Sequence, residues 1–334
     1  MLTLPTARTL DPREAPSLRW GILGTGWIAE KFTSALRQHT TQRIHAVGSR
    51  TKDSADRFAA AVGASAAYGS YEALVADPEV DVVYVATPHN YHYAHALLAI
   101  EAGNHVLIEK PIAVSEAQAR GIAAAAGEAG VFCAEALWTL FLPKYDVLRQ
   151  LLADVEVQTV LADMGEYFTP DHRIFDPALA GGPIFDMCTY PLSFAMWAMG
   201  SPAHITAAGT PAHNGVNGQL AMQLGNANAV AALHASIINE TPTTGVIASA
   251  DQSIVIDGPF YQPGGFTLTT RSGERARYDE PTSAHEGGLH FQAADLARRV
   301  VAGETESAIR PLADSVRLLR VMDEIRRQVG IPLP

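Results

Sequence analysis

An α/β fold is predicted, with a doubly wound parallel sheet first and a more antiparallel α+β region after it. Three observations lead there. From Leu18 to about Trp138, short apolar runs alternate with helix-like stretches, the pattern of parallel strands joined by right-handed crossovers. The runs are apolar almost throughout, as strands covered on both faces require. After Trp138 the texture shifts to segments such as "AMQLGNANAVAALHASII" and "SIVIDGPF", broken by Gly, Asn and Pro, which read as antiparallel strands and hairpins.

In chain order, "LRWGILG" is the first strand, and a helix runs from it through Leu36. "RIHAVGSR" is the second, followed by a helix over residues 53–62, and "VDVVYVATP" is the third long apolar run. "HYAHALLAIEAG" is a helix that Gly103 ends; "HVLIEKP" is a strand, "SEAQARGIAAAAGEAG" a helix and "VFCAEALW" a strand. A helix around "PKYDVLRQLL" opens the second part, and "PLADSVRLLRVMDEIRRQVG", apolar at helical spacing, closes it at Gly330. The expected organisation is a flexible tail over 1–17, an α/β domain over 18–138 and an α+β domain over 139–334.

With 334 residues, 48% of them hydrophobic and 18% charged, the chain can bury a large core in two domains. A formal charge of -11 argues against nucleic acid or an anionic membrane as partner and favours a small molecule. The only cysteines, Cys133 and Cys188, lie far apart and have no metal-ligand spacing, so no metal site is expected and a reducing compartment is. No apolar stretch resembles a signal peptide or a membrane span, which points to the cytoplasm.

"GILGTGWIAEKF" fits Gly-x-Gly-x-x-Ala, with Gly24, Gly26 and Ala29 between a strand and a helix. Gly24 permits the turn, Gly26 lets backbone approach a pyrophosphate, and Ala29 keeps the helix close to the sheet. The helix start, Trp27 and Ile28, adds amides and a favourable dipole. A glycine turn that binds nothing would share the motif, but its place at the start of a βαβ unit favours a dinucleotide. The end of the second strand decides which one. It reads "GSRTK", with Ser49 and Arg50 where an NAD-binding acid would stand, and a guanidinium there suits a 2′-phosphate. NADP(H) is therefore expected over NAD(H), although Arg50 as a solvated loop charge fits the same letters.

"ATPHNYH" brings Thr87, Pro88, His89 and His92 to the carboxyl edge of the strands, where such sheets bind ligands; "IEKP" brings Glu109 and Lys110 to the same edge. A lysine ending a buried strand must reach water, a partner or a ligand, so a pair with Glu109 and a ligand contact fit equally well. In "LAGGPIFDMCTYPL", Gly181 and Gly182 precede a helix on which Asp186 and Tyr190 stand one turn apart. Both could face one substrate; a locally paired acid and a core tyrosine account for the spacing as well.

Taken together, "GILGTGWIA", "ATPHNYH", "EKP", "AEALWTLFLP", "RIFDPALAGGPIFDMCTYPL" and "PLADSVRLLRVMDEIRRQVG" resemble the Gfo/Idh/MocA oxidoreductase family, in its trans-dihydrodiol and sugar dehydrogenase branch. The resemblance runs from Leu18 to Pro334 and implies a Rossmann domain, an α+β domain whose open antiparallel sheet mediates a homodimer or homotetramer, and an active site between them. It implies that Lys110 is the catalytic lysine, Tyr190 the acid/base residue and Asp186 the acid a turn earlier. Gly24, Gly26, Trp27, Ile28, Ser49, Arg50, Thr87, Pro88, His89, His92, Glu109 and Lys110 are the expected cofactor contacts, and Trp138, Arg173, Asp186 and Tyr190 the substrate contacts. Cys188 departs from the branch, which more often has glycine there.

The implied reaction moves a hydride between nicotinamide and a secondary alcohol or anomeric carbon of a sugar, cyclic polyol or trans-dihydrodiol. A free tyrosine titrates near pH 10, roughly, so a phenolate needs a cation such as the Lys110 ammonium, which would also steady a developing alkoxide. Glycines 181 and 182 would let backbone approach the substrate. The alternative is a non-catalytic NADP-binding sensor of the same fold.

Overall fold

In the computed structural model, which describes residues 2–281 and 284–333, β1 (Arg19–Leu23) opens a six-stranded parallel sheet. It is followed by α1 (Trp27–His39), β2 (Arg43–Gly48), α2 (Lys52–Val62), β3 (Ala66–Tyr68), α3 (Tyr71–Val75), β4 (Val82–Val85), α4 (His92–Glu101), β5 (His105–Glu109), α5 (Glu116–Ala129) and β6 (Cys133–Ala136). Local signals set the helix limits. Thr51 caps α2 by accepting from the Ser54 amide, and Gly63 ends it in the left-handed region at φ 75°. β4, β5 and β6 are buried along nearly their whole length, the consequence of covering both faces.

The strand order is β3-β2-β1-β4-β5-β6, so the winding reverses between β1 and β4. Loops leaving the carboxyl ends of these two strands open a crevice at the reversal. This is the parallel half of the α/β fold that the strand and helix alternation predicts.

The sheet belongs to one contact unit, Leu10–Phe141 together with Ala284–Val316. From Leu10 on, the region before β1, expected as part of a tail, is tied to this unit: Arg13 donates to the Gln38 carbonyl at 3.0 Å, and the Gln42 side-chain amide donates to the Pro16 carbonyl at 2.7 Å. The later segment contributes a helix over His290–Val301, whose Arg298 donates to the Asp11 carbonyl.

At the start of that helix His290, 5% exposed, stacks on His39 with ring centroids 4.4 Å apart. Burial, with help from His39, holds its pKa down to about 4 from 6.5. Below pH 6.5 the unfolded chain takes up a proton that the folded one refuses, so stability falls as pH falls from 6.5 toward 4. The shift is worth about 3 kcal/mol at the lower end. Thermal unfolding followed between pH 7 and 4.5 should show the decline, and His290→Phe should make it shallower.

The other unit holds the rest of the described chain. Its elements are α6 (Pro143–Leu152), β7 (Thr159–Gly165), α7 (Pro183–Asp186), α8 (Thr189–Met199), β8 (His204–Pro211), β9 (Asn217–Gly225), β10 (Val230–Ser236), β11 (Gly245–Ala248), β12 (Gln252–Ile256), β13 (Phe266–Thr270) and β14 (Arg275–Tyr278). The strands form one eight-stranded sheet in the order β14-β13-β12-β11-β7-β10-β9-β8, antiparallel except where β7 and β10 run parallel. Helix α8 lies on β7 and β10 and covers one face.

The other face is open and apolar. Leu161 stands in register with Ala232 and Val246, and Val246 with Val255, across four strands. Leu161, Val230 and Val255 are 44%, 52% and 45% exposed. Among the described residues no helix is long and apolar enough to cross a membrane, and no cluster of three or more His, Cys, Asp or Glu is placed to hold a metal.

Candidate active site

Two glycines shape the turn between β1 and α1 for different reasons. Gly24 has φ +108°, and a Cβ there would stand 2.7 Å from the Ala86 carbonyl oxygen, so glycine alone lets the turn approach the loop after β4. A Cβ on Gly26 would meet nothing within 4 Å. As the N-cap of α1, Gly26 brings no capping side chain, which leaves the first-turn amides, those of Trp27 and Ile28 included, to an outside acceptor. Ala29 is fully buried and seats the helix on the sheet. The turn fits a phosphate-bearing cofactor.

At the end of β2, Ser49 is buried and its amide donates to the Tyr68 carbonyl at 3.1 Å. Arg50 next to it is exposed. The two cations that follow are engaged along α2, Lys52 with Asp56 and Arg57 with Asp53, both at 2.5 Å. Arg50 is the guanidinium at the strand end.

Beyond β4, Thr87 is buried with its hydroxyl 2.9 Å from His95 Nδ1, and exposed Pro88 leads into a helical turn over His89–Tyr91. His89 packs edge-on against the ring of His92. His92 is fully buried, with Nε2 2.7 Å from the Thr87 carbonyl and Nδ1 2.8 Å from the Pro111 carbonyl. Burial pushes its pKa down to about 4, against these two carbonyls, which favour the charged ring. Both nitrogens lie against backbone carbonyls, so the imidazole is a strut between the loop after β4 and the loop after β5.

That second loop carries Lys110, half-buried, and each of its neighbours is held through the backbone. The Lys110 amide donates to Glu109 Oε2 at 3.1 Å, while the Tyr84 hydroxyl donates to the other oxygen of the same buried carboxylate. Pro111 meets His92, and the Ile112 amide donates to Glu135 Oε1 at 3.0 Å. Glu135, on β6, is fully buried, and its other oxygen accepts from Arg310 Nη2 at 2.6 Å, Arg310 Nε at 2.9 Å and Ser315 Oγ at 2.7 Å. A lysine on a loop so fixed has its backbone position set before any ligand arrives.

The segment after residue 283 adds a side chain to this neighbourhood that no motif announced. The ring of His285 lies edge-on to Trp27 with centroids 4.9 Å apart, and tilted against buried Trp138 at 5.2 Å. Its pKa is lowered to about 4, chiefly by burial and then by the charge of Lys110. It is a neutral ring at neutral pH.

In the other unit, Asp186 and Tyr190 do not share one continuous helix as their spacing predicts. The amides of Met187 and Cys188 both donate to the Pro183 carbonyl, at 2.9 and 2.8 Å, and the second of these is a π-type bond that ends α7 at Asp186 and restarts the chain as α8. Cys188 sits in the ordinary right-handed region at φ -66°, so this backbone makes no demand for glycine there. The close approach at Gly181 is internal: a Cβ would stand 2.5 Å from the Asp176 carbonyl oxygen.

Asp186 lies 3.6 Å from the guanidinium of Arg173. Tyr190 is 3% exposed and stacks on Tyr261, ring centroids 4.3 Å apart. Tyr261 has its pKa raised, first by burial and further by the charges of Glu166 and Asp186, with the Gln262 hydrogen bond opposing. Tyr261 also lines a cavity of about 280 Å³ with Glu166, Met187, Glu240 and Thr241.

The model of the oxidoreductase family's NAD-binding Rossmann fold, Gfo/Idh/MocA, matches residues 18–137, and that of the Gfo/Idh/MocA C-terminal domain matches residues 148–259. The trans-1,2-dihydrobenzene-1,2-diol dehydrogenase of Bos taurus is 32% identical over 95% of this chain and 98% of its own. The chain belongs to the Gfo/Idh/MocA oxidoreductase family. Also similar is the D-xylose 1-dehydrogenase (NADP(+)) of Hypocrea jecorina, 31% identical over 95% of this chain and 93% of that one. In fold, a levoglucosan dehydrogenase solved with NADH and levoglucosan superposes with a TM-score of 0.85 at 16% identity, covering 94% of this chain and 98% of that one.

For a Gfo/Idh/MocA oxidoreductase, an enzyme with an NAD-binding Rossmann domain, the open glycine turn and the held lysine loop share one edge of one sheet. Sequence reading reached both through motifs. It missed Glu135, Arg310 and His285, which act across long stretches of chain. A buried acid in "CAEALW" was the one local sign, since an unpaired carboxylate cannot stay inside a sheet.

Proposed function

We propose that this oxidoreductase uses NADP(H) in preference to NAD(H) and acts on a secondary alcohol or anomeric carbon of a sugar, cyclic polyol or trans-dihydrodiol, or on the matching carbonyl. The observation that carries the reading is Lys110, fixed by three backbone anchors at the carboxyl edge of the sheet that also bears the open glycine turn.

The dinucleotide, when bound, supplies a nicotinamide that accepts or returns the hydride. The chain's own work is to hold the phosphates at the amides of α1 and to handle the hydroxyl proton. In the oxidative direction the alcohol gives up one proton and one hydride and becomes a carbonyl. Tyr190 takes the proton, and the Lys110 ammonium favours the phenolate and the developing alkoxide. Asp186 orients the substrate hydroxyl, and Trp138 and Arg173 contribute to the substrate pocket. Tyr190→Phe should lower kcat by about 10²-fold or more, the usual worth of a positioned proton carrier, with NADPH titrations unchanged; undiminished turnover would sink the role.

NADP preference rests on Arg50. Its exposed guanidinium stands at the end of β2, where the adenosine ribose of a bound dinucleotide would lie, and can pair with a 2′-phosphate. Arg50→Ala should raise the NADPH dissociation constant at least about tenfold, the loss of a charge-assisted bidentate contact, and leave that for NADH little changed. Equal effects on both would refute the preference.

The whole reading is tested by nicotinamide absorbance with purified protein, NADP⁺ or NAD⁺, and a panel of aldoses, inositols and dihydrodiols. Turnover on one ring class with NADP⁺ is expected. Dinucleotide binding with no turnover on any member, in either direction, would overturn the substrate class. The apolar row of Leu161, Val246 and Val255 supports pairing of two copies through the open face of the second sheet, as a homodimer or within a homotetramer.

A further inference from the structure

His285 and Glu286 have no part in the reaction proposed above, yet both are pinned against the amino-terminal turn of α1. His285 packs against Trp27, the first residue of that helix, and against Trp138. Glu286 forms an ion pair with Lys31 at 2.5 Å, and the Lys31 ammonium in turn lies 6.0 Å from the centre of the Trp27 ring. Trp27 and Lys31 are four residues apart and so occupy one side of the helix. The first-turn amides left uncapped by Gly26 belong to the same turn.

A carboxylate in this place is poorly explained by charge alone. Beside a turn that receives phosphates, an acid repels the ligand, and it also cancels a lysine that would attract it. Glu286 instead does mechanical work: it ties the short turn over His285–Gly287 to the helix, and the imidazole wedged on two indoles sets how that turn lies. We propose that His285 and Glu286 form a clasp on the phosphate helix that retains the bound dinucleotide, slowing its release. This rests on the dinucleotide reading of the glycine turn.

The two explanations give opposite signs, which makes the clasp testable by binding kinetics without any turnover. NADPH release from the full-length chain would be followed by stopped-flow fluorescence for the wild type, Glu286→Gln, Lys31→Met, the double variant and His285→Ala, each first checked for an unchanged circular dichroism spectrum. With a clasp, Glu286→Gln and Lys31→Met each speed release by up to about fivefold, the scale of a half-exposed ion pair, and the double variant does no more than either single. His285→Ala speeds release by about tenfold, through loss of two ring contacts. Slower release from Glu286→Gln, beside faster release from Lys31→Met, would show a purely electrostatic role and overturn the clasp; so would unchanged release in His285→Ala. If the wild type bound neither NADPH nor NADH, the dinucleotide reading itself would fall and the clasp with it.

Discussion

Lys110→Met is expected to lower kcat by about 10³-fold, within the range that loss of a positioned proton-transfer and charge-stabilising group produces, while the protein still folds and still binds NADPH. The structure makes this a clean experiment. Three contacts that fix the loop fall on backbone groups that the substitution leaves in place: the Lys110 amide to Glu109, the Pro111 carbonyl to His92, the Ile112 amide to Glu135. Met keeps the stem and removes only the ammonium, so the anchors survive. Steady-state kinetics beside fluorescence titration of NADPH would separate the two effects. Turnover within about tenfold of wild type, less than a general acid or base contributes, would remove Lys110 from the chemistry. If the ammonium also sustains a phenolate at Tyr190, the alkaline rise of kcat should move to higher pH in the variant.

Local chemistry explains why so much of this was legible in the sequence. Gly24 could be singled out because a positive φ and a 2.7 Å approach to another loop are demands that glycine alone meets. The strands of the first sheet were readable because burial on both faces forces unbroken apolar runs. Arg50 and Lys110 could be assigned to one edge because parallel strands deliver their carboxyl ends there.

What escaped reading depends on pairings that no window contains. Glu135 and Arg310 meet across 175 positions, and His285 reaches Trp27 from the far side of the second sheet's sequence. The kink between Asp186 and Tyr190 turns on one hydrogen bond, Cys188 to Pro183, that leaves helical spacing unchanged in the letters. The approach at Gly181 looked like room for a substrate, although the chain's own Asp176 carbonyl fills it. Periodicity reports which face of an element is buried; it is silent on what a buried charge is paired with.

The largest loss of stability is expected at that hidden pair. In Arg310→Met the Glu135 carboxylate, fully buried, keeps the Ile112 amide and the Ser315 hydroxyl but loses the Arg310 counter-charge and two of its donors. Leaving one partner of a buried ion pair uncompensated costs about 3–5 kcal/mol, far more than the pair's net worth. Urea unfolding should show the extrapolated stability falling by that amount, through a lower midpoint with little change in slope. Glu135→Gln added to Arg310→Met removes the stranded charge while its amide oxygen can still accept from Ile112, so the double variant should recover at least about 1 kcal/mol over Arg310→Met alone, as coupling between contacting residues predicts. A double variant no more stable than Arg310→Met would mean that the guanidinium is needed for packing and not to answer the buried charge. The Ile112 anchor is retained in both variants, so Lys110 stays placed and kcat should lie near wild type in each, with the loss confined to stability.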